Sequence, residues 1–361
     1  MTWTGPGFVD RHNHELLHAG SRFNLPADVA AHHRSVLAAR STPADEKWVI
    51  PIGAEAHKEQ MRKVLRDFPR RGLVAITEKG MDNWEMLDSL RQLRAEGEVK
   101  TAVELFALAG IADAVGPKGL RLRVTHDPML DVVGVKFYAD GWLGCRTCAV
   151  SEPFADSPGD LGVLFIDSTT LAIRAAPYAE AGFRLATHAI GDRAVETALR
   201  AYQLIYEDPK TCRQQRPSIE HGQVLRADLV EQLVEWGVVV CMQPSFGVDD
   251  AAEASAALSP ERHKHAYQWS QLLERGVLLE SGTDAPIGDA RPLAGLQQLV
   301  TGAALGSRNQ VAPTMKVEEA LSVMTDEAMG TVTLSEDPRV ADPFGLSSIH
   351  VLDTVVFKAD A

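Results

Sequence analysis

Cysteine is scarce in this chain: four residues, Cys145, Cys148, Cys212 and Cys241, among 361. They are too few to staple a chain of this length, and a reducing compartment would keep them as thiols. Cys145-Arg-Thr-Cys148 has the C-x-x-C spacing of a redox or zinc site. No second pair completes a zinc set and no thioredoxin-like surroundings accompany it, so the two read as ordinary loop cysteines. Long apolar runs are missing too, which excludes a bilayer-spanning helix. The opening MTWTGPGFVD lacks the basic and apolar regions of a signal peptide, so the chain reads as cytosolic with no membrane partner. Positive charge is also short: 36 Lys and Arg against 49 Asp and Glu give a formal net charge of -13. That leaves no basic stripe for a nucleic-acid partner.

What is present is apolar content in a regular rhythm. With 45% hydrophobic residues the chain can bury a large core, and 361 residues is long for one compact domain unless that domain is a barrel. Short apolar segments predict strands at 7–10, 72–77, 99–106, 132–139, 183–189, 216–221, 237–243 and 276–283. Between them, apolar spacing near 3.6 predicts helices such as Trp84 to Leu93, Ala194 to Ile205 and Leu225 to Trp236. Eight strands alternating with helices predict an α/β fold, a (β/α)8 TIM-like barrel, over residues 5–330. Residues 140–162 read as a long loop leaving the fourth strand, and 246–266 as a second polar stretch after the seventh. The pattern changes near 331, and 331–361 reads as a small C-terminal β segment.

The unusual polar residues sit where the predicted strands run out. His12 and His14 end the first strand, Lys136 lies within the fourth, His188 ends the fifth, His221 the sixth and Asp284 the eighth. In a barrel those ends converge on one mouth, where imidazoles and a carboxylate can gather around a divalent ion such as zinc. Alternation along a strand puts His12 and His14 on the same side. An ammonium at Lys136 would repel a cation and lose its hydration. Either it points elsewhere, or reaction with carbon dioxide has turned it into a carbamate able to bridge two metals. Taken singly, an H-x-H is common by chance, and a lone histidine is more often hydrogen-bonded than metal-bound. Five candidates at strand ends are harder to attribute to chance. His32, His33, His57, His126, His263, His265 and His350 hold no such place and read as surface or structural residues.

The stretches GPGFVDRHNH, GVKFYADGWLGCRT, ATHAIGDRAVETAL, RPSIEHGQVL, VVCMQPSF and SGTDAPI, in that order, resemble the amidohydrolase superfamily, in particular the YtcJ-like branch of the amidohydrolase 3 family. The resemblance implies a metal-dependent hydrolase on a distorted (β/α)8 barrel. It implies His12, His14 and Asp284 as ligands of a first metal, His188 and His221 of a second, and a carbamylated Lys136 bridging them. Members usually assemble a β-sandwich from both chain ends. Here the barrel motif begins at once, so the expectation is a barrel without the N-terminal half of that sandwich, its apolar surface hidden by a partner subunit, as in a homodimer, or by the residual tail from 331 to 361. The stretch after the first strand is also short for the branch.

The reaction expected is hydrolysis of an amide-type C–N bond, in an N-formyl or N-acyl amine or a cyclic amide, by water that the metal activates. Asp284 would shuttle the proton to the departing nitrogen, with His188 or His221 able to polarise the carbonyl if only one metal is bound. Trp142, Arg146, Gln243 and Phe246 are the expected substrate contacts. Two other readings stand beside it: a heterocycle deaminase with a single metal, and a non-catalytic ligand-binding barrel.

Overall fold

The computed structural model of the protein describes residues 2–23, 49–50 and 52–357. His32, His33 and residues 358–361 of the expected C-terminal segment lie outside them. Eight parallel strands follow one another in chain order: β1 (Trp3–Asn13), β2 (Leu73–Met81), β3 (Ala102–Leu108), β4 (Leu130–Tyr138), β5 (Arg184–Ala189), β6 (Ser218–His221), β7 (Val239–Met242) and β8 (Leu278–Ser281). Each is followed by a helix on the outside: α1 (Ala54–Asp67), α2 (Trp84–Ala95), α3 (Ala109–Arg121), α4 (Ser168–Glu180), α5 (Asp192–Tyr206), α6 (Ala227–Trp236), α7 (Trp269–Glu274) and α8 (Pro292–Thr301). All eight predicted strands are found. The fold is the predicted α/β barrel.

Local chemistry explains the elements. β2 is buried at every position, as a strand covered on both faces must be. Asn83 caps α2 by accepting from the Met86 N–H, and Asp167 caps α4 by accepting from Thr170. Inward-facing stripes, Met86, Leu87, Leu90 and Leu93 on α2 and Leu229, Val230 and Leu233 on α6, pack onto the strands. Left-handed Gly237 ends α6.

The barrel closes between its first and last strands. The Asp284 N–H donates to the His12 carbonyl at 2.7 Å and the His14 N–H to the Ala285 carbonyl at 2.8 Å. Below this seam, buried Asp10 accepts from the Thr283 N–H at 2.9 Å, the Thr283 hydroxyl at 2.6 Å and the Asn13 amide at 2.9 Å. Gly282 has no room for a side chain, because a Cβ there would lie 2.3 Å from the His12 nitrogen.

Past the barrel, β9 (Thr325–Leu334) pairs antiparallel with β1, and β10 (Val351–Val356) pairs with β9. The expected boundary at 330/331 falls inside β9. Leu352, Val355 and Phe357 along β10 are exposed. Residues 140–162 form the predicted loop without helix or regular strand. Buried Asp140 ties that loop to the end of β5 by accepting from the Ala149, Ile190 and Gly191 N–H groups at 2.8–3.0 Å. Cys145 and Cys148 are buried and not joined in a disulfide. The stretch 246–266, read as polar, carries short helices at Phe246–Asp249, Ala251–Ala257 and Pro260–His263, because Ala254, Ala257 and Leu258 bury against the core. Among the described residues no helix is long and apolar enough to cross a membrane.

Asp10→Ala would remove the acceptor shared by the Thr283 N–H, the Thr283 hydroxyl and one Asn13 N–H, each lost partly buried bond costing about 1–3 kcal/mol. The expected outcome is a loss of about 3 kcal/mol, read as a lower urea midpoint, with Asp10→Asn intermediate.

Candidate metal centre

The seam at the β1–β8 junction places three donor atoms at the mouth of the barrel. His12 Nε2 lies 3.1 Å from His14 Nε2, and Asp284 Oδ1 lies 3.4 Å from the first and 3.3 Å from the second. The opposite nitrogen of each ring meets a buried carboxylate: His12 Nδ1 is 2.6 Å from Glu220 Oε2, and His14 Nδ1 is 3.0 Å from Glu78 Oε1. Glu78 also accepts from the Gly80 and Leu17 N–H groups. Its oxygens are therefore acceptors, and the His14 nitrogen donates. With both Nδ1 atoms donating to carboxylates, the two Nε2 atoms and a carboxylate oxygen are turned onto one point. Lone pairs so placed repel unless an electrophile lies among them. Ligands about 2.0–2.1 Å from a tetrahedral zinc are about 3.3 Å apart, so the triangle has the size of one face of such a site.

Electrostatics supports the same arrangement. Burial holds His14 and His221 down to about 3, and keeps His188 well below the ordinary imidazole range. All three are neutral rings at physiological pH, as ligands must be. Burial pushes Asp284 up, but His12, His14 and His221 outweigh it and keep its carboxyl well below the usual carboxylate range. Asp284 and His221 both carry positive φ, 56° and 77°, a backbone state that costs a non-glycine residue about 1–3 kcal/mol and that clusters at functional sites.

His188 and His221 stand beside this triangle, their ring centroids 4.5 Å apart, with that of His221 5.0 Å from His12. His188 Nε2 donates to the Gly141 carbonyl at 3.0 Å, and His221 Nδ1 is 2.7 Å from Gln243 Oε1. Among the described residues no hydrogen bond engages Nδ1 of His188 or Nε2 of His221. Lys136 is buried in β4, and its Nζ finds no hydrogen-bond partner among the described residues. Burial lowers it to about 8, so part of the amine is uncharged near neutrality. An orphaned buried amine that bears electrostatically on His14, His188 and His221 fits a centre in which lysine serves as an anion after modification.

The four expected substrate contacts fall in different places. Arg146 forks onto Asp156 and donates to the Leu143 and Gly144 carbonyls, so its guanidinium serves the loop. Buried Gln243 holds His221. Phe246 lies nearly parallel to the His221 ring at 6.2 Å, and half-buried Trp142 packs onto the apolar core. Of the histidines read as bland, His126, His265 and His350 are exposed and His57 donates to the Leu16 carbonyl.

Glu78, Lys79 and Glu220 were missed. Their signal was a charge inside a strand that otherwise reads as apolar on both faces, in LVAITEKG and SIEH. A second group of close donor atoms, His12, Glu220 and Cys241, is filled from within, because Glu220 already takes hydrogen bonds from His12, Ser218 and Lys79.

A sequence profile described as the amidohydrolase family matches residues 36–337. The chain belongs to the amidohydrolase family. The matched span holds Lys136, His188, His221 and Asp284, whereas His12 and His14 lie before it. This family member is 31% identical over 258 residues to YtcJ of Bacillus subtilis (strain 168), which is named as an amidohydrolase, covering 65% of this chain and 48% of YtcJ. It is 31% identical over 168 residues to the protein LONG AFTER FAR-RED 3 of Arabidopsis thaliana, covering 46% of this chain and 29% of that protein. The chain spans about half the length of the curated relatives it matches, or less. A solved structure titled as an uncharacterized metal-dependent hydrolase from Pyrococcus horikoshii superposes with a TM-score of 0.74 at 19% identity, covering 95% of this chain and 88% of that one. That likeness is one of fold.

Gly80 lets the His14 ring reach Glu78, since a Cβ there would sit 2.6 Å from His14 Nδ1. Gly80→Ala is expected to weaken zinc binding about tenfold, measured by titrating metal-free protein.

Proposed function

We propose that the chain is a metal-dependent hydrolase that cleaves an amide-type C–N bond at this mouth, with a divalent cation such as zinc held by His12, His14 and Asp284. The observation that carries the reading is the convergence of two imidazole Nε2 atoms and a carboxylate oxygen at 3.1–3.4 Å. His188 and His221, each with one nitrogen that no hydrogen bond among the described residues engages, would hold a second cation. Lys136 would become an anion between the two sites by adding carbon dioxide, its nitrogen forming the new N–C bond and releasing one proton. A bound divalent cation supplies Lewis acidity toward water and toward a carbonyl oxygen.

The chain's own residues do the rest. Asp284 turns Oδ1 to both rings of the H-x-H pair, which leaves Oδ2 to accept a proton from the attacking water. The same oxygen returns that proton to the departing nitrogen, because an amine leaves poorly unless protonated. Asp284 is ionised at neutral pH and so begins the cycle as the base. The buried carboxylates behind His12 and His14 keep their donor nitrogens aimed at the mouth. Phe246 beside His221 gives that side of the mouth an apolar wall.

The test joins metal analysis of the purified protein to a screen of N-formyl amines, N-acyl amines and cyclic amides. Asp284→Asn is expected to lose at least about a hundredfold in kcat, the usual scale for a general acid–base group. An Asp284→Asn protein that keeps its metal and the wild-type rate would overturn the proton role. Wild-type protein unable to take up zinc would overturn the whole reading. A lysine carbamate also predicts that dialysis against carbon-dioxide-free buffer lowers the metal content and that bicarbonate restores it, with Lys136→Met indifferent to both treatments.

A further inference from the structure

Beneath the donor triangle, a chain of buried polar contacts crosses the barrel interior from β2 to β6 to β1. Lys79 Nζ, on β2, donates to Glu220 Oε1 at 3.0 Å and rests 3.9 Å from the centre of the Phe106 ring. The Ser218 hydroxyl donates to the same Oε1. The other oxygen, Oε2, is given over to His12 Nδ1 at 2.6 Å. Glu220 is fully buried and Lys79 is 4% exposed. A buried lysine–glutamate pair is a poor source of stability, since apolar residues of similar volume often replace one at no loss. The division of labour on Glu220 suggests another use. One oxygen is anchored by a cation and a hydroxyl, and the free one is the shortest contact that either H-x-H ring makes to a carboxylate.

We propose that Glu220, anchored by Lys79 and Ser218, is a positioning residue that fixes the ring and tautomer of His12, and that this Lys79–Glu220–His12 chain sets how tightly the mouth holds a divalent cation. The proposal rests on the reading of His12, His14 and Asp284 as cation ligands. Neutral imidazole has one N–H and one lone pair, so a carboxylate that claims Nδ1–H commits the lone pair to Nε2, which faces His14 and Asp284. The carboxylate also makes the ring a stronger donor toward a cation. Lys79 keeps Glu220 in place by balancing its charge in an interior that would otherwise exclude it. Glu78 does the corresponding work for His14 with the Leu17 and Gly80 N–H groups in place of a cation. The two rings thus lean on differently supported anions, and the His12 arm alone contains an ion pair.

The test measures zinc affinity of metal-free protein by competition with a chromophoric chelator, alongside the melting temperature and the nitrogen-15 signals of labelled histidine. Glu220→Gln is expected to bind zinc about 10–100-fold more weakly and to melt lower, because Lys79 is left unpaired. The double variant Glu220→Leu/Lys79→Met removes both charges and the acceptor of the His12 Nδ1–H. It is expected to recover the melting temperature but not the affinity, and to lose the fixed Nδ1–H tautomer of His12. Wild-type affinity in the double variant, or an unchanged His12 tautomer, would reduce the pair to a structural role and overturn the proposal. Wild-type protein that binds no zinc would instead remove the underlying reading of the mouth, which the wild-type titration shows on its own.

Discussion

The closure of the barrel between β1 and β8 is the constraint on which the rest of the centre depends. Residues more than 270 positions apart must meet in register, and they do so through the Asp284 to His12 and His14 to Ala285 backbone bonds above the Asp10–Thr283 clasp. Two of the triangle's donors ride on one side of that seam and the third on the other. A slip of one residue would turn His12 and His14 away from the lumen, because side chains alternate along a strand. Gly282 belongs to the same constraint, since only a residue without a Cβ lets β8 come this close to His12.

A second theme is how an acidic protein keeps so many charges inside its barrel. Glu220 is matched by Lys79, Glu104 by Arg184 and Arg11, and Glu78 and Asp140 by backbone N–H groups. The measure of each support is visible in its acidity. Glu220 and Glu104, facing cations, are held below the usual carboxylate range against the cost of burial. Glu78 and Asp140, held largely by backbone N–H groups, are pushed by burial to about 7 and about 8. Lys136 is the exception, a buried amine that no described group satisfies. That contrast makes it the most unusual side chain in the interior.

Much of this was legible in the sequence for a physical reason. Parallel barrel strands are covered on both faces, so they appear as short apolar runs, and a polar residue at the end of such a run has few places to be except the mouth. That logic picks out His12, His14, Lys136, His188, His221 and Asp284 as candidates for the mouth. Glu78, Lys79 and Glu220 escape it, because whether a residue inside a strand faces the lumen or the helices depends on strand tilt and stagger, which a run of letters does not encode. Arg146 and Gln243 were drawn toward the substrate by their position in the chain, whereas the fold spends them on Asp156 and His221. The stretch 246–266 was read from its polar composition, yet alanines at the right spacing form helix where Ala254 and Ala257 can be buried.

By itself, the sequence determined which residues are available as donors and on which strand each rides, because apolar periodicity and strand ends are local properties. Only the tertiary structure decided which nitrogen of each histidine is free. That choice is made by the partner on the opposite side of the ring: Glu220 for His12, Glu78 for His14, Gly141 for His188 and Gln243 for His221. The partners lie 208, 64, 47 and 22 residues away in the chain, each on another strand or loop. An imidazole has two nitrogens and no intrinsic preference strong enough to choose between them, so closure of the barrel makes the choice.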